Sequence, residues 1–127
     1  MTRQEVIDAV KAAVRATGVQ AYEWLAGTLD PDALPAVVVR DTDDDLTNEL
    51  YHEMHHLTIE AACFTSSGAN TISDCRALMG TIAQAIGNAV SGARLTQTRL
   101  AVEQDEHAVA IGTLVFTVPF DSAKHEV

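Results

Sequence analysis

The densest group of chemistry-bearing side chains in the sequence is His52-Glu53-Met54-His55-His56, which satisfies H-E-x-x-H. On a helix this spacing sets two imidazoles one turn apart on a shared zinc ion, with the glutamate placed to deprotonate the metal-bound water, as in a zinc hydrolase. In a strand His52 and His56 share a face but stand about 13 Å apart at ~3.3 Å per residue, too far for one ion with bonds of about 2 Å. Leu57, Ile59, Ala61 and Cys63 alternate with His56, Thr58, Glu60 and Ala62, a period of two that favours a strand with a solvated polar face. The helical alternative, capped by Thr47 over Glu49 to His56, needs a third zinc ligand, and no downstream His or Glu stands at a recognisable spacing.

Asp41, Asp43 and Asp45 fit alternate positions of a calcium loop, but Leu46 stands where such a loop needs glycine and His52 where it needs glutamate. No G-x-S-x-G elbow, P-loop or dinucleotide fingerprint is present, and Ser66, Ser67, Ser73, Ser91 and Ser122 stand in turn or cap contexts. Cys63 and Cys75, twelve residues apart and without a C-x-x-C, read as small reduced core residues. No enzymatic activity, metal or cofactor is expected from these motifs. His107 and His125 are expected to be exposed.

The elements that would position these groups follow from pattern. Thr2 and Glu5 have capping-box spacing ahead of Val6, Ile7, Val10, Ala13 and Val14, which predicts an amphipathic helix from about Arg3 to Thr17, stopped by Gly18. Val19 to Ala33 reads as a short strand or irregular segment around Tyr22, Trp24 and Leu25. Ala36-Val37-Val38-Val39 reads as a strand buried on both sides and ended by Arg40 and Asp41, followed by a solvated acidic loop to Asn48. A long strand follows from about Leu50 to Thr65, then a turn at Ser66 to Asn70. A second helix, capped by Ser73 or Asp74, carries Leu78, Ile82, Ala85, Ile86 and Ala89 on one stripe and ends near Ser91-Gly92. Gly80, Ala83 and Gly87 make a bare strip beside it, expected to face the sheet closely. Thr98, Leu100 and Val102 alternate with Gln97, Arg99 and Glu103, and Ala108 to Phe120 has strand composition, so the chain closes in a β-hairpin with Pro119 at a strand end or edge.

Composition bounds the rest. The 127 residues suggest one domain over 1–127, and 47% hydrophobic with 20% charged residues supports a packed core. Formal charge is −10, and its distribution matters more than its total. Residues 30 to 60 hold nine acids against Arg40, a net of −8, whereas residues 61 to 100 hold Arg76, Arg94 and Arg99 against Asp74, a net of +2. Such a chain repels phosphate backbones, which argues against nucleic-acid contact through a basic patch. No run approaches the ~18 apolar residues of a membrane span, and no address is legible at either end, so cytoplasmic residence is the expectation.

In order, the N-terminal amphipathic helix, Leu34-Pro35-Ala36-Val37-Val38-Val39 with its acidic sequel, Leu57-Thr58-Ile59-Glu60-Ala61, the helix from Ala77 to Ala89, and the hairpin from Thr98-Arg99-Leu100 to Gly112-Thr113-Leu114-Val115-Phe116-Thr117-Val118 resemble the tail terminator, or minor tail protein U, family of long-tailed phages and prophages. The resemblance spans nearly the whole chain and rests on strand pattern and length, since that family has no catalytic signature. It implies an α+β fold with two main helices on a four- or five-stranded mixed or antiparallel sheet with a C-terminal hairpin. It also implies a non-enzymatic virion assembly protein, made in the host cytoplasm and residing in the virion tail, which forms a hexameric ring on the tail tube, can be monomeric when free, and meets head-completion proteins. Charge segregation then suggests Asp41, Asp43, Asp44 and Asp45 as opposite partners of Arg94 and Arg99 across a heterologous interface. The other readings are the zinc hydrolase above and a monomeric small-molecule binding module with an apolar pocket lined by Trp24, Phe64 or Phe116.

Overall fold

The structure, a computed structural model, describes residues 2–23, 33–48, 52–66, 68–104 and 108–123. Helix α1 spans Arg3–Ala16 and begins as its capping residues dictate, with the Thr2 side chain accepting from the Glu5 amide and Val6, Ile7, Val10, Ala13 and Val14 buried. It stops at Thr17, whose amide and the left-handed Gly18 that follows return to carbonyls of the last turn. Strand β1 is short, Gln20–Glu23. The remainder of the expected irregular segment around Trp24 and Leu25 lies outside the described residues, as do His107 and His125.

The acidic stretch is where sequence and structure part. Instead of ending at Arg40, strand β2 runs Ala36–Asn48 and so takes in every residue from Asp41 onward that was expected to loop. The reason is its partner: strand β3, His52–Thr65, pairs antiparallel with it from Ala36 opposite Phe64 to Asn48 opposite Glu53. The polar front half of β3 therefore has a polar ladder partner along its backbone, while His52 and His56 stay exposed. Val38 in the apolar start is half-buried, while Ala36, Val37 and Val39 are fully buried.

A short 3-10 turn at Gly68–Asn70 leads into α2, Thr71–Ala89. The helix starts two residues ahead of the expected serine cap, and Thr71 secures its start by donating to the Gly68 carbonyl at 2.8 Å. Strands β4, Arg94–Gln104, and β5, Ala108–Ala123, form the expected closing hairpin. Sheet order is β1-β2-β3-β5-β4, with β1 parallel to β2 and the other neighbours antiparallel. The fold is α+β, two helices against a five-stranded mixed sheet. Beyond Thr117, β5 has no β4 partner, and Pro119 stands there without an amide hydrogen to leave unpaired.

One core joins both helices to one face of the sheet: α1 residues, Ile82 and Ile86 of α2, and Leu57, Ile59, Ala61, Leu114, Phe116 and Val118 all fall in a single buried cluster. Each such large side chain contributes about 1.5–3 kcal/mol of burial. The close helix–sheet approach is not at the bare strip of α2, since Gly80 and Gly87 are exposed and a Cβ on either would meet nothing. It is at Gly112 of β5, where a Cβ would stand 2.6 Å from Met79 Cγ and 3.0 Å from Cys75 Sγ.

Candidate functional site

A bulge sorts the aspartates. Up to Asp41 the odd residues of β2 face the helices; the register then slips between Asp41 and Asp43, which brings Asp44 opposite the core residue Leu57 and sets Asp43 and Asp45 opposite Thr58 and His56 on the open face. Two carboxylates, Asp41 and Asp44, thus share the helix side, where α1 begins. Arg3 meets both, donating from Nη2 to Asp44 Oδ2 at 2.8 Å with Nε 3.8 Å from Asp41.

Behind Arg3 the network continues inward. His55 of β3 has the same parity as Leu57 and Ile59, so its ring points to the helix side and is only 5% exposed. It lies flat on the Phe120 ring, centroids 4.2 Å apart and planes within 5°. Its Nδ1 is 2.8 Å from Asp44 Oδ2 and its Nε2 2.6 Å from Ser122 Oγ. With Asp44 ionised, Nδ1–H donates to the carboxylate and Nε2 accepts the serine hydroxyl proton. Glu53 Oε2 stands 3.9 Å from the same Nε2.

Asp44–His55–Ser122 has the connectivity of a hydrolytic triad: nucleophile, base and orienting carboxylate in order. Its setting is different. Ser122 was expected in a turn or cap context; it sits instead within β5, registered opposite Glu53 and 4% exposed, and not at the tip of a strand-to-helix turn that would offer Oγ to a substrate. Phe120 seals one face of the base, and Asp44 is shared with Arg3. What the arrangement does is tie β2, β3, β5 and the start of α1 together through Arg3, Asp44, His55 and Ser122, while Arg3 Nε and Asp44 Oδ1 are left without a hydrogen-bond partner among the described residues. Local spacing could not have found it, because the partners are 11 and 67 residues apart, although the parity of His55 with Leu57 was a usable signal.

The zinc reading fails on backbone geometry. His52-Glu53-Met54-His55-His56 is strand throughout, so His52 and His56 are exposed, separated positions on β3, and His52 lies 3.9 Å from Asp121. The described residues contain no group of three or more His, Cys, Asp or Glu that could hold a metal ion. Nor do Phe64 and Phe116 share a pocket: Phe116 pairs with Ile59 on the core side, whereas Phe64, opposite Ile111, has the other parity. A cleft of about 360 Å³ lies elsewhere, between Leu34 and Pro35 at the start of β2 and Asp74, Leu78 and Thr81 of α2. Cys63 and Cys75 are buried free thiols. Burial, with Cys75 nearby, pushes the Cys63 thiol up to about 12, and burial raises Cys75 too, so neither is a nucleophile at neutral pH.

On the open face, Glu60 accepts from Arg40 at 2.8 Å and from Arg99 at 2.9 Å, the latter reaching across β5 from β4. The acidic residues and arginines singled out in the sequence therefore divide. Asp41 and Asp44 are engaged by Arg3, and Arg99 by Glu60. Asp45 and Arg94 are exposed with no ionic partner among the described residues, and exposed Asp43 accepts only the neighbouring Asp44 amide. Strand β4 is exposed at all eleven positions, including Leu95 at 42%, Leu100 at 36% and Val102 at 46%.

No family model matches the sequence, and no curated protein matches it. Among solved structures, the chain is similar to a component of the virion of the native gene transfer agent particle, with 16% identity over 94% of this chain and 91% of that one and a TM-score of 0.44.

Proposed function

We propose that the protein is a phage or prophage virion structural protein that caps the tail tube and offers the head-joining machinery a surface, acting through protein contacts and without a cofactor. The order of elements that resembles the tail terminator family supports this reading, and the α+β fold agrees with what that resemblance implies. The observation that carries it is β4: an edge strand exposed along its whole length, with three large apolar side chains turned to solvent, is a pairing surface rather than a wall of a catalytic site.

In a hexameric ring the contacts would be heterologous, acidic on one side and basic on the other. Asp43 and Asp45 against Arg94 suit that role best, being exposed, while Asp41, Asp44 and Arg99 already hold partners within the chain. The test is to incubate the protein with purified unterminated tails and examine the tube ends by electron microscopy. A cap on the tube end is expected with the wild type, and its loss with the Asp43→Lys/Asp45→Lys variant; bare ends with correctly folded wild type would overturn the reading.

A further inference from the structure

The two edges of the sheet are unlike. Among the described residues strand β1 offers four positions, whereas β4 offers eleven, so the described part of β1 matches β4 poorly in length. The natural partner in length is β4 itself. Few of the usual edge protections are present: the strand has no Pro, no Lys, no glycine kink and no inward-pointing charge. Its one irregularity is near the start, where the register with β5 slips between Leu95 and Gln97 and the Thr96 hydroxyl turns back onto the Val115 carbonyl at 3.2 Å.

That bulge fixes which side chains share a face. Pairing with β5 puts Arg94, Gln97, Arg99, Ala101 and Glu103 on the open side and Leu95, Thr98, Leu100 and Val102 on the helix side. Each side is complementary to itself when the strand is reversed: base at the start meets acid at the end on one, and Leu at the start meets Val at the end on the other. We propose that two copies of the free protein pair their β4 strands antiparallel about a two-fold axis at Arg99, making one continuous ten-stranded sheet. With Thr96 bulged out in both copies, Arg94 faces the partner's Glu103, Leu95 faces the partner's Val102, and Thr98 faces the partner's Leu100. The arginine pair on the axis is not left bare, because each Arg99 is held by Glu60 of its own chain at 2.9 Å. The pairing covers exposed apolar surface and the unpaired ladder of the edge in one step. It holds or fails apart from the tail-end reading.

Sedimentation equilibrium of the purified full chain tests it. The wild type is expected to be a dimer, and Leu100→Lys, at a position already 36% exposed, a folded monomer by circular dichroism. Glu103→Arg sets like charges face to face at both ends and should weaken the dimer about tenfold, the order expected of a few exposed ion pairs acting together; Arg94→Glu/Glu103→Arg should recover most of that loss. A wild type that stays monomeric at NMR concentrations, a Leu100→Lys protein as dimeric as the wild type, or a double variant no better than Glu103→Arg each overturns the proposal. A monomer that still caps tail ends removes the strand pairing alone, and a dimer that leaves them bare removes the tail role alone.

Discussion

The far end of the β2–β3–β5 ladder and the β4 edge present opposite solutions to the placement of polar and apolar groups in one sheet. At the first, Asp44, His55 and Ser122 are drawn inward and linked to one another, with His55 and Ser122 only 5% and 4% exposed, and the half-exposed Arg3 closes the group from outside. At the second, Leu95, Leu100 and Val102 stand out in solvent while nothing among the described residues covers them. The groups that could do chemistry are tied down, and the groups that could bind are left open. The contrast teaches that this chain uses its polar chemistry to hold its own elements together while leaving an apolar strand uncovered among the described residues.

Truncating the inner end should have the largest effect on stability. Asp44→Ala leaves the buried His55 without its acceptor and takes from Arg3 the nearer of its two carboxylates, and is expected to cost about 3 kcal/mol in urea unfolding. Leu100→Lys, made in the open strand, should stay within about 0.5 kcal/mol of the wild type. Comparable losses from the two variants would break the contrast.

The boundary between the regions lies at Gly112, which pairs with Cys63 of β3 on one side and Leu100 of β4 on the other. Gly112→Ala forces a Cβ against Met79 and Cys75 and should cost about 2 kcal/mol, as overpacking does, measured by thermal unfolding. A smaller loss, about 1 kcal/mol, is expected for Ser122→Ala, which removes one hydrogen bond but leaves the His55–Asp44 pair.

The thiols give the smallest signal and a signed pH dependence. Burial keeps Cys63 protonated in the folded protein up to about 12, against 9.0 for an ordinary thiol, so between those values the native state holds a proton that the unfolded chain has lost. The stability it contributes is complete below pH 9.0 and is lost as the pH rises toward about 12. Native protein at pH 8 should therefore resist iodoacetamide at both cysteines, whereas urea-unfolded protein should take up two labels. Rapid native labelling at Cys63 would mean that the core at the α2–β3 contact opens.

Much of this architecture was legible in local pattern because local forces set it. The Thr2 and Glu5 spacing gave α1 its start, the alternation of Leu57 to Cys63 identified β3, and the Thr98 to Val118 pattern gave the hairpin. The extent of β2 was not legible: consecutive aspartates have low strand propensity alone, and only pairing with β3, the Thr42 bulge and Arg3 make that conformation favourable. The His55 network was hidden for a related reason, since its partners come from three strands. Exposure of β4 was hidden differently, because alternation looks the same whether the apolar side meets a helix or water.

Electron microscopy of unterminated tails incubated in parallel with wild type, Ser122→Ala and Leu100→Lys bears most directly on the claim that this protein works through an open strand and not through its buried serine and histidine. Capped tube ends with wild type and Ser122→Ala, and bare ends with folded Leu100→Lys, are predicted. Capping lost with folded Ser122→Ala but retained with Leu100→Lys would contradict it.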